Sequence, residues 1–168
     1  TMIDAARVSG SVRGADGEPI ASVCVSAYDV VDGSWNYLGG STSDEKGQYV
    51  VSAVVGPISL IFVDCGTGID VATAWFGGAP PWTTPPPTID LKPGDNDGYD
   101  QTMQAGGRIQ GRLADEDNAP VSGVCIAVHP RDLLLEKGDS NTAWWGSKID
   151  EKGVWESPPL PAGDYLVH

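Results

Sequence analysis

VSGSVRGADGEPIASVCVSA, residues 8–27, returns as IQGRLADEDNAPVSGVCIAV at residues 109–128. Gly10 matches Gly111, Pro19 matches Pro120, Val23 matches Val124 and Cys24 matches Cys125, all at one offset. Downstream, Asp44-Glu45-Lys46-Gly47 returns as Asp150-Glu151-Lys152-Gly153, and Thr1-Met2 matches Thr102-Met103. A repeat of this length reads as two copies of one domain and outranks any local signal. The expected division is a first module over residues 1–104 and a second over residues 105–168, the second lacking its C-terminal strands. On this reading the chain is an excerpt that opens in the last strand of a preceding unit.

The composition agrees with a strand-and-turn architecture. The chain has 168 residues, with 22 Gly and 13 Pro, and no segment has the spacing of a long amphipathic helix. Residues 7–13, 20–30, 35–42, 48–54 and 57–65 read as five short strands. Ala15–Pro19, Asp32-Gly33 and Asp44–Gly47 are the turns between the first four. Strands at hairpin spacing give an all-β sandwich or barrel. Residues 66–98 differ, because their prolines donate no ladder hydrogen bond and exclude a central strand. Within them Thr88–Leu91 is expected as a short edge strand and Lys92–Asp95 as a turn, after which Tyr99–Met103 closes the sheet. Ala105-Gly106-Gly107 leads directly into the second copy, so the modules are expected to be semi-rigid neighbours. The second copy inserts residues around Leu133-Leu134-Leu135, and its fifth strand begins at Asp164.

Charge and hydropathy exclude some partners. A formal net charge of −13 opposes nucleic acid, whose phosphates need a basic face, and opposes anionic membrane surfaces. No run of ~18 apolar residues offers membrane insertion. Such acidity suits a soluble protein outside the cell.

Cys24 lies in the apolar run Val23-Cys24-Val25, and Cys65 closes the run that begins at Leu60. A bond between them would cross-link two strands and stabilise the module by about 4 kcal/mol through loop entropy. Three buried free thiols in a reducing compartment is the alternative. Cys125 has no evident partner in the chain; the equivalent of Cys65 falls beyond His168.

The turn-and-strand pattern carries a resemblance. Its residues are Gly10, Val12, Gly17, Pro19, Val23 and Val25, then Asp44, Gly47 and Tyr49. In the second copy they are Gly111, Leu113, Pro120, Val124 and Ile126, then Asp150, Gly153, Trp155, Leu160, Pro161, Gly163 and Tyr165. The pattern resembles the carboxypeptidase-regulatory-like and Cna-B-like modules, which are transthyretin-like, immunoglobulin-like β-sandwiches. The variant with two cysteines and a Trp-Phe-Gly-Gly segment is similar to repeats of secreted Gram-positive bacterial proteins. The resemblance implies an extracellular or cell-surface setting. It also implies a structural role as a stalk or spacer, in an adhesin or as an appendage of a secreted hydrolase. Many such modules form a Lys–Asn isopeptide bond from a lysine early in the first strand. Here Arg7, Arg13, Arg108 and Arg112 are the basic residues of those strands, and a guanidinium cannot be the amine nucleophile, so no such bond is expected.

No catalytic constellation is visible. His129 and His168 lie in no metal-binding spacing, and His129, beside Pro130, reads as a surface residue. No nucleophile elbow or phosphate-cradling loop occurs. Two ligand candidates remain. Asp95, Asp97 and Asp100 place oxygen donors around Gly98 like the start of a calcium loop, without the later bidentate glutamate; a solvated turn is the plain alternative. Trp75, Phe76, Trp82, Trp144 and Trp145 could form a glycan-binding face, or cover the open ends of a small core. The expected partners are therefore neighbouring repeat modules, with a glycan or a host or cell-surface protein as the alternative. No cofactor is expected beyond calcium.

Overall fold

The computed structural model describes residues 5–31, 34–131 and 145–168, with the backbone alone for residues 145–148. Thr1-Met2, the Asp32-Gly33 turn, Leu133–Leu135 and Trp144 lie outside the described residues. Every element among the described residues is a β-strand, and the fold is all-β. The chain divides into two compact units, Thr1–Gly106 and Gly107–His168.

The first unit contains β1 (Ala5–Arg13), β2 (Val23–Val31), β3 (Ser34–Thr42), β4 (Gln48–Val54) and β5 (Gly56–Asp64). Shorter strands follow: β6 (Ala74–Trp75), β7 (Ile89–Leu91), β8 (Gly94–Asn96) and β9 (Gln101–Thr102). One sheet has the order β4-β1-β8, with β9 also on β1. The other has the order β3-β2-β5-β6, with β7 also on β5. Alternation along the strands builds the core between them. Val8 and Val12, Val23 and Val25, Tyr49 and Val51, and Leu60 and Phe62 all point inward and are buried.

Turn chemistry fixes the register. In the turn after β3, Asp44 Oδ1 accepts from the backbone N–H of Lys46 and of Gln48 at 2.9 and 2.8 Å. Gly47 closes that turn at φ 74°, and a Cβ there would stand 2.3 Å from the carbonyl oxygen of Val12. Only glycine fits such a site without strain.

Two segments depart from the sequence reading. The expected turn at Lys92–Asp95 contains the start of β8, which pairs parallel with β1. The Asn96 side chain closes the tight turn, accepting from Lys92 N–H and donating to Lys92 O at 2.9 Å each, so the chain reaches the open edge of β1 within a few residues. The expected closing strand Tyr99–Met103 is regular only at Gln101–Thr102. Upstream of it the chain must bulge around β1, because Tyr99 O occupies the place of a Cβ on Gly10.

The second unit contains β10 (Gln110–Arg112), β11 (Cys125–Pro130), β12 (Trp145–Lys148), β13 (Val154–Glu156) and β14 (Tyr165–Val167). Its sheets are β10-β13 and β12-β11-β14. Ile126, Val128, Ile149, Trp155 and Leu160 form its core. Gly111 stands opposite Trp155 as Gly10 stands opposite Tyr49. Asp150 accepts from Lys152 and Val154 N–H, and Gly153, at φ 77°, lies against Leu113 O as Gly47 lies against Val12 O. His129, expected at the surface, is 2% exposed and lies within β11, on the face opposite to the core residues Ile126 and Val128.

A braced aromatic face and an acidic edge as the candidate functional site

β2 and β5 are neighbours, and Cys24 pairs in register with Val63. This places Cys65 beside Cys24, and the two form a disulfide with a Cα–Cα distance of 5.3 Å. Val23 and Val25 face the core, so the bond lies on the outer face of the sheet, with the Thr42 hydroxyl 3.9 Å from Cys24 Sγ. Cys125 is a free, exposed thiol on β11.

Further along the same outer face the aromatic side chains gather. Tyr28 pairs with Tyr37 and Val30 with Trp35 across β2 and β3. Trp75, on β6, pairs with Ile61. Trp35 stacks on Trp75, and Tyr28 meets both Trp35 and Tyr37 edge-on, at 6.1 and 5.6 Å between centroids. Trp75 is only 2% exposed, and its indole N–H donates to Pro81 O at 3.1 Å. Trp35 is 43% exposed and Tyr37 62%. Stacked and edge-on contacts of this kind hold rings at fixed orientations, each worth about 0.5–1.5 kcal/mol beyond burial. Gly40 leaves room for this arrangement, since a Cβ there would stand 2.8 Å from Tyr37 Oη.

The tryptophan-centred set expected from the sequence is therefore not one exposed face. Trp75 is buried beneath Trp35. Phe76 turns the other way, packing against the core and meeting the Tyr99 ring at 5.6 Å. Trp82 is half-buried. Trp144 lies outside the described residues, as does the side chain of Trp145. Among the described residues the large rings presented to solvent are Trp35 and Tyr37, which the sequence reading left out; their signal was the i, i+2 spacing of aromatics on a hairpin strand.

The three aspartates of the acidic loop line the edge of β1, each engaged by a different residue. Asp95 meets Arg7 at 3.2 Å, Asp97 accepts from the Ser9 hydroxyl, and Asp100 accepts from the N–H and the hydroxyl of Ser11 at 2.7 and 2.8 Å. Asp100 thus takes the place of a backbone acceptor where the chain bulges around Gly10. The Ser11 hydrogen bonds, helped by the Arg13 charge, hold its carboxyl below the ordinary range. Beside it, Tyr49 donates its hydroxyl to Tyr99 O at 2.6 Å. Burial, with Asp100 and Tyr99 adding to it, raises the Tyr49 phenol far above its usual value. These groups line a polar groove of about 420 Å³ with Gln48 and Val50. Among the described residues, no three His, Cys, Asp or Glu side chains are grouped to hold one metal ion. The aspartates fasten a strand edge, each to a different residue of β1.

No protein-family model matches the chain, and no curated protein matches it. Some solved structures are similar to it. A streptococcal ancillary pilin is similar over 99% of the chain and 54% of the pilin, at 13% identity and a TM-score of 0.41. The shaft pilin of Lactobacillus rhamnosus GG is similar over 99% of the chain and 73% of its own length, at 12% identity and a TM-score of 0.35. The 3-chlorocatechol 1,2-dioxygenase of Rhodococcus opacus 1CP is similar over 62% of the chain and 60% of the enzyme, at 16% identity and a TM-score of 0.38. The chain thus spans about half the length of the ancillary pilin.

Proposed function

We propose that this chain consists of two copies of one non-catalytic β-sandwich module, serving as spacers in a secreted or cell-surface protein. The observation that carries this reading is the repeated register. The Gly10–Tyr49 and Gly111–Trp155 pairs take equivalent register positions, and the two Asp-to-Gly turns are held by equivalent hydrogen bonds and equivalent close approaches to a carbonyl. Two such units abut in sequence at Gly106 and Gly107. A series of compact units joined by short connections suits a stalk, because each unit resists extension by itself. The disulfide supports an oxidising compartment, where such bonds persist. Its span also limits how far the first unit can be drawn out.

Single-molecule pulling on the two ends tests this. With the disulfide intact, the 41-residue span between Cys24 and Cys65 stays closed; under reductant the first unit lengthens by an additional ~140 Å, at ~3.3–3.6 Å per residue. A chain that extends smoothly, without discrete unfolding events, would remove the spacer reading.

A second reading, a carbohydrate-binding module, is favoured by the exposed Trp35 and Tyr37 rings. Aromatic faces held rigidly in place suit stacking on sugar rings. The chain's acidity directs this reading to uncharged polysaccharides.

A further inference from the structure

We propose that His129 and His168 form a binding site for a divalent transition-metal ion, which ties β14 to β11 in the second unit. The register brings them together. The backbone N–H and carbonyl groups of Ala127 and His168 bond reciprocally at 2.8 and 3.0 Å, extending the pairing of Val128 with Val167. His129, two residues beyond Ala127, is then the diagonal neighbour of His168 on the same face of the sheet. The rings stand 4.4 Å apart between centroids, and their Nε2 atoms approach to 2.5 Å.

The geometry of His129 is that of a prepared ligand. Its Nδ1 stands 3.3 Å from Pro130 O, and an N–H there donates to that carbonyl. That tautomer leaves the Nε2 lone pair aimed at His168. Metal-ligating imidazoles are oriented in this way by a carbonyl on the far nitrogen. His129 is buried, whereas His168 is exposed. A metal ion takes imidazole nitrogen at ~2.0–2.1 Å, so two nitrogens around it lie roughly 3 Å apart. A small rotation of His168 opens the present approach to that value. Among the described residues no third His, Cys, Asp or Glu is grouped with them. Two neutral imidazoles select the Cu, Zn and Ni class over the hard, oxygen-seeking ions.

The position gives the site its consequence. β11 and β14 are adjacent antiparallel strands of the larger sheet of the second unit, with β14 at its edge, as β2 and β5 are adjacent in the larger sheet of the first. In the first unit Cys24 and Cys65 join that pair covalently. In the second the histidines would join it through a metal ion.

The assignment is unambiguous to test, because the chain has only 2 His. The full chain, with Cys125 alkylated and the disulfide intact, is titrated with Zn²⁺ while both imidazoles are followed by NMR. One equivalent is expected to shift both rings together and to slow amide exchange at Ala127 and His168. His168→Gln, at an exposed position, is expected to weaken Zn²⁺ binding at least about tenfold, as loss of a metal-site group typically does. His129→Gln should do the same, with far-UV circular dichroism reporting whether it folds; if it does not, the His168 variant decides. Zn²⁺ that leaves the imidazoles unshifted, or binds the His168 variant as tightly as the parent, overturns the proposal.

Discussion

Trp35 lies nearly flat on Trp75, with ring centroids 5.3 Å apart and planes inclined by 21°. The two rings have unequal work. Trp75 is enclosed and hydrogen-bonded, while Trp35 keeps much of its surface in solvent. Trp75→Ala is therefore expected to cost about 3–5 kcal/mol, the usual range for emptying a buried indole site. Trp35→Ala should cost about 0.5–1.5 kcal/mol. Urea unfolding of the two variants checks this, and equal losses would contradict the division between a buried support and an exposed ring.

That division also decides the carbohydrate reading. Trp35→Ala and Tyr37→Ala leave the core intact, so any retardation in gels containing neutral polysaccharide should disappear with either substitution while each variant still unfolds cooperatively, Trp35→Ala with no more than the loss given above. A parent chain that migrates freely through every neutral polysaccharide, and is blank on a glycan array, removes the reading.

The disulfide gives a prediction in thiol chemistry. The chain has 3 Cys, of which Cys125 is free and exposed. Alkylation of the folded chain should add one label, and alkylation after reduction in denaturant should add three. Cys24→Ser combined with Cys65→Ser should lower the stability of the first unit by about 4 kcal/mol on the loop-entropy estimate. Three labels without reductant would remove the oxidising compartment from the argument.

The strand pattern of the first unit was legible because its turns carry strong local chemistry. Asp44 and Gly47 bracket a turn that could be read before any coordinates, and β4 begins and ends as its β-branched run suggests. The pairing of β8 was not legible. Pro93-Gly94 spells a turn, and nothing local says that the next residues will lie parallel to a strand almost ninety positions earlier (Ser9 meets Asp97 with a separation of 88). The aromatic face was misread for a related reason. Trp75 ends β6 and Phe76 opens the turn after it, and the two pack on opposite sides, so a cluster of aromatic letters was not a cluster in space. His129 carries the same lesson, since a histidine beside proline looks peripheral and nothing local signals that it is buried.

Asp100 sets an acid limit on the edge of β1. Its carboxyl is held below the ordinary 3.8 by the Ser11 hydrogen bonds. A carboxylate whose folded pKa is depressed adds stability above its unfolded pKa and loses it as pH falls through the folded value. The parent should therefore show a falling urea midpoint from about pH 4 downward. Asp100→Ala should be less stable at pH 7 and lose less of its midpoint on acidification. The group is solvent-exposed, so the difference is screened and should shrink with added salt. Identical acid profiles for parent and variant would place the acid sensitivity on other carboxylates.

The repeated turns give the sharpest comparison between units. Gly47 and Gly153 share a left-handed φ, 74° and 77°, and the same 2.3 Å approach of a would-be Cβ to a backbone carbonyl, of Val12 and of Leu113. Alanine at either position must adopt a strained backbone and displace that carbonyl, which also accepts the N–H of Ile20 in one unit and Val121 in the other. Each substitution is expected to cost about 1–3 kcal/mol. The losses should stay separate, Gly47→Ala speeding amide exchange in the first unit and leaving the second unchanged, and Gly153→Ala the reverse, as hydrogen exchange resolved by segment would report. Similar costs confined to their own units are what two copies of one module require. A large cost at Gly47 with none at Gly153 would mean that the second turn is held by something other than the geometry it shares with the first.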